Sequence, residues 1–399
     1  MSPRTDATGA STADWGMLSP VWAGTVAESL SSDDAVLRAM LRTEAALLKV
    51  LASTGIAPAA VGDAAHSVAA LRFDVRSLAL DAVAGGNPVI PLVAHLRSAV
   101  PGDVASWVHH GATSQDVLDT ALMLVASDVM RRVESDLTAL AAFLARLASS
   151  ARAVPMVART LSQQALPTTL GMRVSGWLAG VHDALRLVRG CTTLPVSIGG
   201  PVGTASAYGE QAPVVLSGLA AALGQRAEAT SWHTRRSVVV EVAAALTVTG
   251  SACGKIAADL LVMGQTEVGE ARERAGGPSS SMAHKANPTQ SVLVSSAARQ
   301  LPAFAAVLGA SASPEQERPA GAWHAEWQPL RAMLRLAGGA AERSASYVPH
   351  VGFDHDMMRR NLGSLLTALG KDMVWATAET EHVGVWIDRV LAQQEELCR

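Results

Sequence analysis

With 399 residues, 49% hydrophobic and 17% charged, the chain can bury a large core and form more than one domain. A formal net charge of −3 and the lack of any Lys/Arg stripe argue against nucleic acid or an anionic membrane surface as a partner. The opening MSPRTDATGASTADWG lacks the apolar core of a signal peptide, and the longest apolar run, between Glu241 and Lys255, is short for a bilayer. Cys191, Cys253 and Cys398 match no metal or redox spacing. The expectation is a reduced, cytoplasmic chain with no membrane partner.

Helical signals dominate, and strand signals are almost absent. Ser31-Ser32-Asp33-Asp34 offers a cap and first-turn acids, and Gly55 closes the segment they open. Leu37, Leu41, Leu48 and Leu51 share one face of it at helical spacing. Glu44 falls in the middle of that face, where it reads as a structural acid paired with an arginine. Farther along, segments near 115–150, 168–190, 234–273, 288–311 and 325–346 are rich in Ala, Leu and Val and apolar over much of their circumference. That pattern belongs to helices inside a bundle. Breaks fall at Pro195–Gly209, Gly276–Pro278 and Ser311–Gly321. The chain therefore reads as an all-α protein in three regions: an N-terminal helical domain (1–112), a central long-helix bundle (113–348) and a short C-terminal helical domain (349–399). Helices this long and apolar are expected to bury flanks against copies of the same chain.

Five stretches could carry chemistry. In VHHGATSQDVLDT (108–120), Gly111 breaks the chain and Thr113 with Asp116 has capping-box spacing. This is either an ordinary capped helix or a seat for a carboxylate or phosphate, built from free N–H groups and the hydroxyls of Thr113 and Ser114. His109 and His110 stand just before it. In RTLSQQALPTTLG (159–171), Arg159, Gln163 and Gln164 edge an apolar segment, as ligand contacts or as surface around a helix start at Pro167. In WHTRRSVVVE (232–241), Trp232 and His233 could line a pocket or staple a helix entry. In GAWHAEW (321–327), Trp323, His324 and Trp327 could be core or site. Finally, SSSMAHKANP (279–288) follows two glycines and a proline and holds Lys285, one of only four lysines in the chain. Lys285 and Asn287 on such a loop could hold an anion and stabilise charge developing on it; the bland alternative is a linker between helices. No GxxxxGK[ST] occurs, which argues against a nucleotide P-loop.

These last residues resemble the signature loop of the fumarase/aspartase superfamily, usually written GSSxMPxKxNP. GATSQD and RTLSQQALPTTLG, in the same order, resemble two further blocks of it. GGNPVIPLV (85–93), HHGATSQDVLDTAL, SQQALP, WHTRR and GAWHAEW look like its branch of bacterial 3-carboxy-cis,cis-muconate cycloisomerases. The resemblance implies a helical subunit assembled as a homotetramer, with active sites where three subunits meet and no cofactor required. It implies chemistry on a small tricarboxylate, closing a lactone through an aci-carboxylate intermediate. By position it assigns Ser279 and His109 to catalysis. Thr113, Ser114, Gln163, Lys285 and Asn287 become substrate-binding residues, joined by His233, Trp323 and His324 from the two aromatic blocks. Departures are Leu161 where fumarases and several lyases carry histidine, Ala283 for a proline, Pro278 for a glycine and Ser237 for an acid. The region after Asn361 is abbreviated.

Overall fold

The longest helix begins where Gly111, with φ of 72°, turns the chain sharply. A Cβ there would lie 2.6 Å from the Tyr208 ring, so only glycine fits. The computed structural model describes residues 14–274, 277, 281–282 and 285–397. Ser279, Pro278, Ala283 and Cys398 lie outside the described residues.

Eight helices organise the described chain: α1 (Asp33–Ser53), α2 (Ser114–Ser150), α3 (Leu170–Gly190), α4 (Ser237–Met263), α5 (Thr289–Ala310), α6 (Ala322–Tyr347), α7 (His355–Leu369) and α8 (Val383–Leu397). Shorter helices connect and flank them. At its 37 residues α2 is roughly 55 Å long. Helices α2 to α6 form the bundle: α4 packs on α3, α5 and α6, and α2 on α1, α3 and α6. The direction of each helix follows from its contacts. Asp119 near the start of α2 meets Arg236 before α4 and Trp323 at the start of α6. At the other end, Trp177 early in α3 donates to Asp259 late in α4 (2.6 Å), and Ser291 of α5 meets Tyr347 of α6. So α2, α4 and α6 run one way and α3 and α5 the other. The α4–α5 contact is close because Gly250 and Gly254 face Leu301 and Ala298, where any Cβ would collide. One apolar core runs from Val21 to Ile387 and takes in most of the bundle.

The mostly helical reading holds, with two differences. Segment 155–169 is an antiparallel hairpin, β1 (Pro155–Thr160) and β2 (Gln163–Thr169), turning at Leu161 and Ser162 with φ of 50° and 65°. Pro167 thus pairs with Val157 rather than opening a helix; α3 starts after Thr169, whose Oγ1 accepts the Met172 N–H. The helix expected over 234–273 ends at Met263, and a second small pair follows, β3 (Ala271–Glu273) with β4 (Val351–Phe353). Both strand pairs are too short to show alternation clearly.

Contrary to the reading of the Glu241–Lys255 run, α4 and α5 are each long and apolar enough to cross a membrane, because one or two charges do not disqualify a window. Here α4 is an interior bundle helix. Only 22% of the apolar window of α5 is buried within the single chain.

Candidate active site

Thr113 is the N-cap of α2, and Asp116 in its first turn is the hub of this end of the bundle. Asp116 Oδ2 accepts the N–H groups of Thr113 (3.0 Å) and Gly200 (2.9 Å). Its Oδ1 accepts the Gly199 N–H (2.7 Å), the Ser197 hydroxyl (2.9 Å) and His233 Nε2 (2.7 Å). Burial works against the charge, but the His233 bond and charge, with the Gly199 and Thr113 amides, hold the carboxyl below the usual carboxylate range. The loop entering α2 is thereby fixed against the loop around 197–200.

One turn farther, Asp119 and Glu326 flank the buried Arg236. The guanidinium donates to Asp119 Oδ2 (2.7 Å) and Oδ1 (3.1 Å), and through Nε to Glu326 Oε1 (3.0 Å). Trp323 Nε1 adds a bond to Asp119 Oδ1 (2.9 Å), and Trp232 lies 4.8 Å from the guanidinium. Burial opposes both charges, yet the two acids keep Arg236 more basic than usual, while burial pushes Glu326 up. The WHTRR and GAWHAEW stretches therefore meet in a charge network that ties α2, α4 and α6 together.

His109 sits four residues before the cap, in the left-handed region with φ of 64°. Glu44, 0% exposed, accepts its backbone N–H (3.0 Å) and lies 2.7 Å from its Nδ1. The expected arginine partner for Glu44 is thus replaced by a histidine. The reason is topological: α1 packs on α2 and delivers Glu44 to the loop that precedes it.

The other expected residues divide between the two poles of the bundle. Ser114 is half-buried at the first position of α2, beside the buried Thr113. His233 and Trp323 are buried, held on Asp116 and Asp119. His324 is exposed, 5.1 Å from the Trp323 ring and 4.7 Å from Trp327. All of these lie at the α2 N-terminal pole. Lys285, Asn287 and Gln163 lie at the opposite pole. Lys285 and Asn287 line a cavity of about 640 Å³ with Gln265, Thr266, Arg272 and Pro288. The stem of their loop is pinned by a two-way backbone bridge between Gly277 and Asn287 (2.8 and 3.1 Å). A side chain at Gly277 would strike Thr289. Gln163 is exposed beside the hairpin turn. Arg159 is engaged otherwise, in a two-bond pair with buried Glu270 (2.9 and 2.8 Å) that docks the hairpin.

Comparison with known proteins places this arrangement. A family model described as Lyase matches residues 21–302. The chain belongs to that lyase family. Its curated relatives include the nitrosuccinate lyase of Streptomyces davaonensis, 41% identical over 88% of this chain and 78% of the relative. They include the 3-carboxy-cis,cis-muconate cycloisomerase of Pseudomonas aeruginosa, 39% identical over 92% of this chain and 82% of the relative. Among solved structures, the 3-carboxy-cis,cis-muconate lactonizing enzyme of Pseudomonas putida superposes with a TM-score of 0.84 at 29% identity, over 96% of this chain and 100% of that one. This lyase-family chain thus has the fold and family that its sequence blocks implied.

Sequence reasoning missed the charged residues that hold the site's framework. Asp116 was noted only for its cap spacing, and Asp119, Arg236, Glu270 and Glu326 went unnoticed. One signal was available: charged residues on otherwise apolar helix faces are rarely buried unless paired. Their ion-pair partners are 90 to 117 residues away, beyond any local pattern.

Proposed function

We propose that this chain is a cycloisomerase acting on 3-carboxy-cis,cis-muconate, assembled as a homotetramer whose sites combine residues from different subunits. The observation that carries the reading is the Lys285–Asn287 pair: a fixed cation and a neutral donor on a pinned loop stem, lining a 640 Å³ cavity. In the proposed reaction a substrate carboxylate oxygen adds to the conjugated double bond and a C–O bond forms. The π electrons move onto the neighbouring carboxylate, giving an aci-carboxylate held by Lys285 and Asn287. The Ser279 hydroxyl then passes its proton to the carbon beside that carboxylate, the aci-carboxylate collapses to give 4-carboxymuconolactone, and the serine oxygen regains a proton from solvent. The N-terminal end of α2, with Thr113 and Ser114, orients another of the three carboxylates, the attacking one. His109, its ring set by Glu44, is the second acid/base group. Leu161, in place of the histidine of other branches, agrees with this assignment.

A second reading rests on the Streptomyces davaonensis relative. The same cavity could take nitrosuccinate, where loss of a proton beside a carboxylate and cleavage of the C–N bond release nitrite and leave fumarate. Two readouts separate them: loss of diene absorbance with 3-carboxymuconate, and nitrite release with nitrosuccinate. We expect the first. Nitrite release without diene loss would replace the cycloisomerase reading by the lyase one. Within either reaction, Ser279→Ala should abolish turnover while leaving substrate binding largely intact.

A further inference from the structure

The cavity that holds Lys285 contains a second cation that the proposed reaction leaves unused. Arg272 is the central residue of β3, pairs in register with Gly352 of β4 and lines this cavity. Residues alternate sides along a strand. Ala271 is buried and Glu273 turns to α5, whereas Arg272 is exposed.

The acids around Arg272 are committed elsewhere. Glu273 Oε1 accepts the Ser291 N–H (2.8 Å) and hydroxyl (2.6 Å), and Oε2 accepts the Gln290 N–H (3.1 Å). Glu270 is held by Arg159 and by Asn361 (2.8 Å). On the other flank lies a second cavity of about 650 Å³ that Arg272 also borders. There, Asp354 caps α7 through the Asp356 and Met357 amides, and Asp356 pairs with Arg359 (2.8 Å). Glu267 is exposed and lines neither cavity. Among the described residues Arg272 carries no ion pair and no side-chain hydrogen bond. A guanidinium left open at a cavity wall is suited to a two-bond grip on a carboxylate.

We propose that Arg272 receives the substrate carboxylate carried on the carbon that forms the C–O bond, the one a dicarboxylate lacks, and so selects tricarboxylates over dicarboxylates at this site. The assignment deepens the proposed function and rests on the Lys285 cavity being its substrate site.

The test is calorimetric binding to the assembled full-length protein, with two unreactive probes. Butane-1,2,4-tricarboxylate is the saturated counterpart of 3-carboxymuconate, and adipate is the same chain without the third carboxylate. Wild type should prefer the tricarboxylate by roughly tenfold or more. Arg272→Gln should lose that preference while holding adipate as before, and Arg272→Lys should keep part of it. No preference in wild type, or an undiminished one in Arg272→Gln, overturns the proposal. Arg272 is exposed and unpaired, so an unchanged thermal midpoint checks that the variants fold. An Arg272-dependent preference in a protein that fails to turn over 3-carboxymuconate would sink the cycloisomerase reading and leave the carboxylate subsite standing.

Discussion

Glu44 and His109 show what one residue can and cannot disclose. A carboxylate on the apolar face of α1 was visible as an anomaly in sequence, but its partner 65 positions away was not. The left-handed backbone of His109 was invisible too, since nothing in VHHG marks it. In the structure both carboxylate oxygens meet one histidine, through its amide and its Nδ1. The contact fixes the orientation of the ring and turns Nε2 away from Glu44. Glu44→Gln would present an amide N–H₂ to one of the two donors and release the ring. The expected result is a fall in kcat of about tenfold to a hundredfold with little change in KM, and a displaced limb of the pH–rate profile. Glu44→Asp should recover part of it. An unaltered pH profile in Glu44→Gln would remove Glu44 from its positioning role. Lys285, by contrast, could be read from sequence because lysine is rare in this chain and stands in a stretch that cannot be helix interior.

At the scale of elements, the long helices were legible because their cores repeat at helical spacing between glycine, proline and serine breaks. The hairpin of β1 and β2 was not. It has few residues, its turn uses Leu161 and Ser162 rather than glycine, and Pro167 mimics a helix start. The aromatic blocks were recognised as notable, but the choice between core and site could not be made from them. Trp323 and His233 are packed on acids of α2, which makes them part of what aims the helix N-terminus. Asp116 is the test of that idea. It accepts five hydrogen bonds in all, and its folded carboxyl ionises at lower pH than an unfolded one. A depressed carboxyl contributes stability that is present above the unfolded value near 4 and is lost as pH falls through the folded one. Acid unfolding of wild type should therefore steepen below about pH 4, a component missing from Asp116→Asn. At neutral pH that variant should lose roughly 3–5 kcal/mol, since an amide cannot accept from all these donors and His233 loses its buried partner. Denaturant midpoints measured across pH would check both, and a neutral-pH loss within experimental error would refute the hub role.

For the whole molecule, the decisive geometry is length. His109, Thr113 and Ser114 stand at one end of α2, and Gln163 lies past its other end, roughly 55 Å away. Lys285 and Asn287 precede α5 at that same far pole, separated from the α2 start by the length of α4, 27 residues or roughly 40 Å. No side chain spans such a gap, so these residues can serve one substrate only if different copies supply them. The thinly covered apolar window of α5 offers a surface for that association. This scale was legible only through the likeness of the sequence blocks to a known family, because nothing in a single chain's periodicity states what it packs against. The prediction is complementation. His109→Ala and Lys285→Ala should each be nearly inactive alone, as each spoils one pole in every subunit. After subunit exchange in an equal mixture, half the donors of each pole are intact. If the poles of a site come from different subunits, about a quarter of the sites regain both. Activity should climb toward that level after mild dissociation and reassembly, and stay absent when the variants are mixed without exchange. A mixture that stays inactive although exchange is demonstrated by mass would mean that both poles of a site come from one chain, against the distance along α2 and α4.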